Sequence, residues 1–162
     1  LRHELIGCNL RMPEVIAAMA IAQIDKVDML VEKRIYIANL FHEKVKDCKW
    51  LVEQKIQKNT TTSYWTYVVS INNKNPNVDW HKFKKKFIEL GGHSFYGSWA
   101  VNYKEPAFIN YYKKKKLKLP YTPNAEKLQP TLIQFKTNFK TKKEALQQAS
   151  ALEKTIIFFD SL

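Results

Sequence analysis

Eight consecutive residues, Gly7-Cys8-Asn9-Leu10-Arg11-Met12-Pro13-Glu14, carry the side chains best suited to gripping an anion. Asn9 offers an uncharged amide donor and Arg11 a planar guanidinium with several donors in fixed directions. Pro13 suits the first helical position, because its φ is already helical and the N–H it lacks would have had no partner there. A helix starting there turns free backbone N–H groups and the positive end of its dipole toward whatever Asn9 and Arg11 hold. A phosphate fits that arrangement, which grips a dianion without having to protonate it.

The elements that must position these residues follow in order. Residues 1–12 read as a lead-in loop and 13–46 as one long helix, bent near 24–28 where its pattern changes. Val15-Ile16-Ala17-Ala18-Met19-Ala20-Ile21-Ala22 is apolar on nearly every side, which predicts burial all round. Beyond the bend the run is amphipathic, with Val27, Leu30, Val31, Arg34, Ala38, Phe41 and Val45 recurring at three and four residues. Trp50-Leu51-Val52 reads as a short strand. Ser63 to Ile71, rich in aromatic and β-branched residues, reads as the central strand of a sheet.

Asp79 is a suitable N-cap for a helix through Leu90, striped by Trp80, Phe83, Phe87 and Leu90 and ended by Gly91-Gly92. His93 to Trp99 reads as a short strand opening into a loop. The stretch 101–123, containing Lys113 to Lys116, lacks clean periodicity and reads as an excursion with short helical turns. A short helix over 124–129 stopped by Pro130, a strand over 132–136, and a last helix capped by Thr141 and Glu144 complete the chain. The last helix carries the stripe Ala145, Leu146, Ala149, Leu152, Ile156 and Phe159.

These elements predict an α+β fold: a long bent N-terminal helix, then a small antiparallel or mixed sheet covered by helices. With 162 residues, 45% of them apolar and only four glycines, one domain spanning 1–162 with a real core is expected. No run approaches the roughly 18 apolar residues of a membrane span, and Leu1-Arg2-His3-Glu4 has no signal-peptide shape. Cys8 and Cys48 read as two reduced thiols, which with the missing leader points to the cytoplasm. His3, His42, His81 and His93 lack metal-ligand spacing, so no metal site is expected. A G-x-S-x-G elbow, a Cys-His pair and a Gly-rich phosphate loop are all absent from the sequence, and no catalytic residue is assigned.

The segment Gly7-Cys8-Asn9-Leu10-Arg11-Met12, followed by the Ala-rich run to Gln23-Ile24, resembles the G-x-N-aromatic-R-M segment of the DegT/DnrJ/EryC1/StrS sugar aminotransferases. Gln23 to Asp28, Lys33-Arg34 and Asn124-Ala125-Glu126-Lys127-Leu128-Gln129-Pro130 are similar to the same family in the same order, most closely to its perosamine-synthase-like members. Leu10 and Cys8 depart from it, since the family commonly has Tyr or Phe at both. The resemblance implies the small C-terminal domain of an aspartate-aminotransferase-like fold, pyridoxal 5'-phosphate as cofactor, and transfer of an amino group from glutamate to a nucleotide-linked keto sugar in polysaccharide or O-antigen biosynthesis. It further implies a homodimer formed through residues 7–46. Asn9 would then reach the cofactor phosphate of the neighbouring subunit and Arg11 the substrate, with Tyr96, His93 and Trp99 lining the sugar pocket. The family's Schiff-base lysine lies upstream of the Asn-containing motif, and none of this chain's lysines stands in that context. The large cofactor-binding domain is therefore expected to be missing and the chain alone to be inactive.

A second reading comes from charge. The formal net charge of +12 rests on lysine, with Arg2, Arg11 and Arg34 the only arginines. Lys113 to Lys116 among Tyr111, Tyr112 and Tyr121, with the Lys82 to Lys86 face, would suit a non-enzymatic module binding nucleic acid or another polyanion. A lysine excess spread over helices is more commonly a solvated face, and this reading leaves Gly7 to Pro13 without a role.

Overall fold

A computed structural model describes residues 11–72, 74–97 and 100–162, with only the backbone at 96 and 97. The long helix is two helices, α1 (Glu14–Ile24) and α2 (Val27–Val45), broken at Asp25-Lys26 where the expected bend falls. Pro13 occupies the N-cap rather than the first helical position: its φ of −59° suits a helix, but its ψ of 145° is extended. The four strands β1 (Leu51–Glu53), β2 (Thr66–Ile71), β3 (Tyr96–Gly97) and β4 (Leu132–Lys136) form an antiparallel sheet in the order β1-β2-β4-β3. The strand expected to be central, β2, is an inner one.

Register places the apolar residues on one face. Tyr67 opposes Phe135, Val69 opposes Ile133 and Leu51 opposes Ile71, all six buried. Onto that face pack α2, α3 (Trp80–Glu89) and α6 (Lys142–Asp160), through Ile37, Phe41, Phe83, Phe87, Leu152 and Phe159. Two shorter helices, α4 (Pro106–Lys114) and α5 (Pro123–Leu128), occupy the excursion between β3 and β4. Pro130 does not simply stop α5: it lies inside a 3₁₀ turn, Gln129–Thr131, that feeds β4.

Local signals explain the helix ends. The Asp79 carboxylate accepts from the Lys82 N–H at 2.8 Å, and these backbone donors hold its pKa below the ordinary carboxylate value. The Thr141 hydroxyl accepts from the Glu144 N–H at 3.1 Å, while the Glu144 carboxylate reaches back to the Lys140 N–H at 3.1 Å. That is the anticipated capping box, displaced by one residue on its return bond.

The helices α3 and α4 end in the same way, with one exchange of residue. In α3 the Gly92 N–H donates to Phe87 O and the Gly91 N–H to Ile88 O, with Gly91 at φ 91°. In α4 the Leu117 N–H donates to Tyr112 O and the Lys116 N–H to Lys113 O, with Lys116 at φ 54°. Both are paired-bond helix stops requiring a left-handed residue, which glycine adopts freely and lysine does not. Lys116→Gly should therefore stabilise the chain by about 0.5–1 kcal/mol, the left-handed penalty less the extra flexibility of glycine. Thermal unfolding checks it, and an unchanged or lowered midpoint would contradict the account of this stop.

Three expectations are corrected. First, α1 contains no buried residue: Val15 is 71%, Met19 63% and Ile24 66% exposed. A helix apolar all round needs cover on several sides, and the core closes through α2, α3 and α6 without it. Second, the α2 stripe begins later than its sequence period, because Val27 and Leu30 share the exposure of α1 while Ile37, Ala38, Phe41 and Val45 are buried. On α6 the stripe is rotated, leaving Leu146 exposed and burying Gln148 and Thr155. Third, the strand read as Ser63 to Ile71 starts only at Thr66, because Tyr64 has φ 46° and cannot continue an extended chain. Among the described residues no helix is long and apolar enough to cross a membrane.

Candidate functional site

The head of α1 is where the sequence leads one to expect an anion. Arg11 is exposed, two residues ahead of Pro13, and among the described residues no side chain caps the first turn of α1. The first N–H with a helical partner is that of Ala17, which donates to Pro13 O at 3.0 Å, so the backbone donors before it face outward along the helix axis. Guanidinium and helix end together offer donors and positive charge to one anionic group, and their chemistry fits a phosphate or carboxylate. Glu14 in the same turn supplies an opposing charge. Asn9, the residue expected to hold the phosphate, lies outside the described residues, as does Trp99.

The remaining expected residues stand on a separate support. Tyr96 opens β3, where its backbone pairs with Gln134 of β4. His93 lies in the segment leading to β3, and its backbone N–H donates to the Gln148 Oε1 at 2.6 Å. The Gln148 Nε2 donates in turn to Gly91 O at 3.3 Å, so one buried glutamine of α6 clips both ends of the turn that aims β3. The His93 imidazole leans toward the start of α6, with its Nδ1 3.9 Å from the Glu144 Oε1 and its ring edge-on to Phe139 at 5.8 Å. Gln148 was absent from the expected site. Its signal was available: a polar residue spaced three from Ala145 and four from Leu152 falls on the apolar stripe, where it must be buried and satisfied by hydrogen bonds.

The lysine run has a structural role of its own. Lys113 and Lys114 occupy the last turn of α4, where positive charge complements the negative end of the helix, and all four lysines are exposed. Nearby, the Glu126 carboxylate accepts from Lys104 at 2.5 Å and from the Tyr103 hydroxyl, tying α5 to the turn before α4. Those two bonds hold the Glu126 pKa below its ordinary value, the Lys104 bond contributing most.

A four-stranded antiparallel sheet with helices on one face, preceded by a long broken helix whose head can bind an anion, is the smaller part of an aminotransferase fold. The chain belongs to the DegT/DnrJ/EryC1/StrS aminotransferase family, whose model matches residues 1–151. It is similar in structure to the Helicobacter pylori aminotransferase PseC, involved in the biosynthesis of pseudoaminic acid: TM-score 0.74, 18% identity, 98% of this chain and 40% of that one. S. venezuelae DesV, solved in complex with a ketimine intermediate, gives TM-score 0.73 at 13% identity, covering 95% of this chain and 39% of that one. The E. coli GDP-4-keto-6-deoxy-D-mannose-3-dehydratase, solved with bound hydrated PLP, gives TM-score 0.71 at 20% identity, covering 94% and 37%. The chain thus spans about 40% of the length of the PseC structure. No curated protein matches it.

Proposed function

We propose that this chain is the C-terminal part of a pyridoxal-phosphate-dependent enzyme that transfers an amino group, from glutamate, to a nucleotide-linked keto sugar for polysaccharide or glycan biosynthesis. The observation that carries the reading is the family match over residues 1–151, which includes the Gly7 to Pro13 segment and runs on into α6. The same match weighs against the polyanion-binding alternative, in which that segment has no part.

When bound, the cofactor supplies the electron sink for moving the amino group. The residues of this chain bind and orient. Asn9 donates its amide N–H to the cofactor phosphate of a neighbouring subunit, adding no charge, and the head of α1 adds partial positive charge beside it. Arg11 takes an anionic group of the substrate. Tyr96, with His93 and Trp99 around it, closes one wall of the sugar pocket, and Gln148 fixes the turn from which that wall is built.

The exposed apolar surface of α1 supports the homodimer in this reading. Val15, Ile16, Met19, Ile21 and Ile24 are large apolar side chains open to water in the single chain, in the region 7–46 through which two copies would meet. The cytoplasm is the compartment such an enzyme would occupy.

The chain alone should not hold the cofactor covalently. A lysine that bonds an aldehyde must be positioned and desolvated, and none of the described lysines is buried. Mixing the chain with pyridoxal phosphate, reducing with borohydride and mapping the peptides should yield scattered, substoichiometric labelling. Stoichiometric labelling of one specific lysine would overturn the assignment of this chain as the part lacking that residue.

A further inference from the structure

At the β1 edge of the sheet, the second half of α2 and the segment leading from β1 to β2 enclose a cavity of about 250 Å³. One carboxylate anchors it. The Glu53 Oε1 accepts from the buried Tyr67 hydroxyl and lies 2.8 Å from the His42 Nδ1, so two donors converge on a single oxygen. Burial, followed by the Glu53 bond and charge, raises the Tyr67 pKa, keeping the phenol protonated and donating. The Glu53 Oε2 has no partner among the described residues and its side chain is partly exposed, which leaves a fixed acceptor facing outward. Around it the side-chain amides of Asn39 and Gln54, also without hydrogen-bond partners among the described residues, offer donors and acceptors together.

The aromatic wall is held in place at a conformational cost. Tyr64 adopts φ 46°, rare for a bulky side chain, and three groups fix it there. Its N–H donates to the Thr62 Oγ1 at 3.3 Å, and its carbonyl accepts from the buried Thr137 hydroxyl at 2.5 Å. Arg34 donates to that same hydroxyl and to Trp65 O, both at 3.1 Å. The Tyr64 ring so held stands 6.4 Å from the Tyr67 ring, and Ile56 and Val68 complete an apolar lining.

We propose that this cavity binds a neutral polyhydroxylated ring of monosaccharide size. Hydroxyls donate to the tethered Glu53 carboxylate and exchange hydrogen bonds with the two amides, while the C–H face of such a ring packs on Tyr64 and the aliphatic lining. An anion is disfavoured by Glu53 and by the absence of any lysine or arginine in the lining, and a cation by the chain's net charge of +12. A nucleotide exceeds the volume. The site is separate from the β3 wall at His93 and Tyr96, because β1 and β3 are opposite edges of the sheet, three strand spacings or about 14 Å apart, and Arg11 is not among its lining residues.

The test is a titration of the isotope-labelled full chain, followed by amide NMR, with methyl α-glucoside, methyl α-mannoside and methyl β-galactoside as probes. At least one should shift the Asn39 and Gln54 side-chain amide signals saturably, with a Kd on the order of millimolar. Gln54→Ala, an exposed change that the fold tolerates, should weaken that binding about fivefold or more, as should Glu53→Gln. No saturable shift with any probe at about 100 mM would overturn the proposal. So would equal binding by Gln54→Ala, or saturation of the same signals by n-propylammonium or inorganic phosphate instead.

Discussion

Phe135→Ala is expected to remove about 3–5 kcal/mol of stability, the largest single effect in the chain. Phe135 lies on the inner strand β4, is almost wholly buried, and meets five aromatic rings. Phe95 and Phe41 stand 5.2 Å from it, Phe87 5.4 Å, Phe83 6.2 Å and Tyr67 6.4 Å, centroid to centroid. Truncation leaves a cavity that rings locked by their own neighbours cannot collapse to fill. Phe135→Leu, which keeps much of the volume, should cost markedly less. Denaturant unfolding of both variants tests this, and a loss below about 1 kcal/mol for the alanine variant would mean that the sheet is not organised around this ring. The effect reaches the candidate site as well, because β4 is the strand on which Tyr96 is paired.

Elements with local punctuation were legible in the sequence. Asp79, the Phe83 and Phe87 spacing and Gly91-Gly92 define both ends and the inner face of α3 within fourteen residues, and the structure agrees. The break between α1 and α2 was visible for a similar reason, since the apolar period changes there. What escaped depends on distant chain. Tyr64 looks like strand by composition, but Thr137 at β4's exit, itself bonded by Arg34 of α2, holds its carbonyl while Thr62 holds its N–H, and together they bend it out of the strand. The rotation of the α6 stripe follows from the turn at Gly91, which draws Gln148 inward. The exposure of α1 has another origin: its composition describes a buried helix, and the surface that would bury it is no part of the fold described by these residues. The cavity beside Glu53 joins residues of three elements and shows no motif along the chain.

Within the candidate site, the resemblance around Gly7 to Met12 led to the family that the match over residues 1–151 establishes. The roles of Asn9 and Arg11 are those the family resemblance implies, and the chemistry at the head of α1 is compatible with them. On the proposed assignment Asn9→Ala would remove one hydrogen bond to a charged phosphate, a loss of about 1.5–3 kcal/mol, so cofactor affinity in the complete enzyme should fall roughly tenfold to a hundredfold. The proposed dimer should persist, because the apolar surface of α1 is unaltered. Arg11→Ala should leave cofactor affinity near that of the parent and weaken substrate binding instead, since its guanidinium is assigned to the substrate rather than to the phosphate. These opposite outcomes from two residues two positions apart separate specific roles from general damage to the loop.

Cofactor titration by absorbance, performed on the complete enzyme and on both variants, is the measurement that bears most directly on the assignment. The expected result is a tenfold or greater rise in the cofactor dissociation constant for Asn9→Ala with little change for Arg11→Ala. Unchanged cofactor affinity in Asn9→Ala would contradict the central functional assignment of this chain.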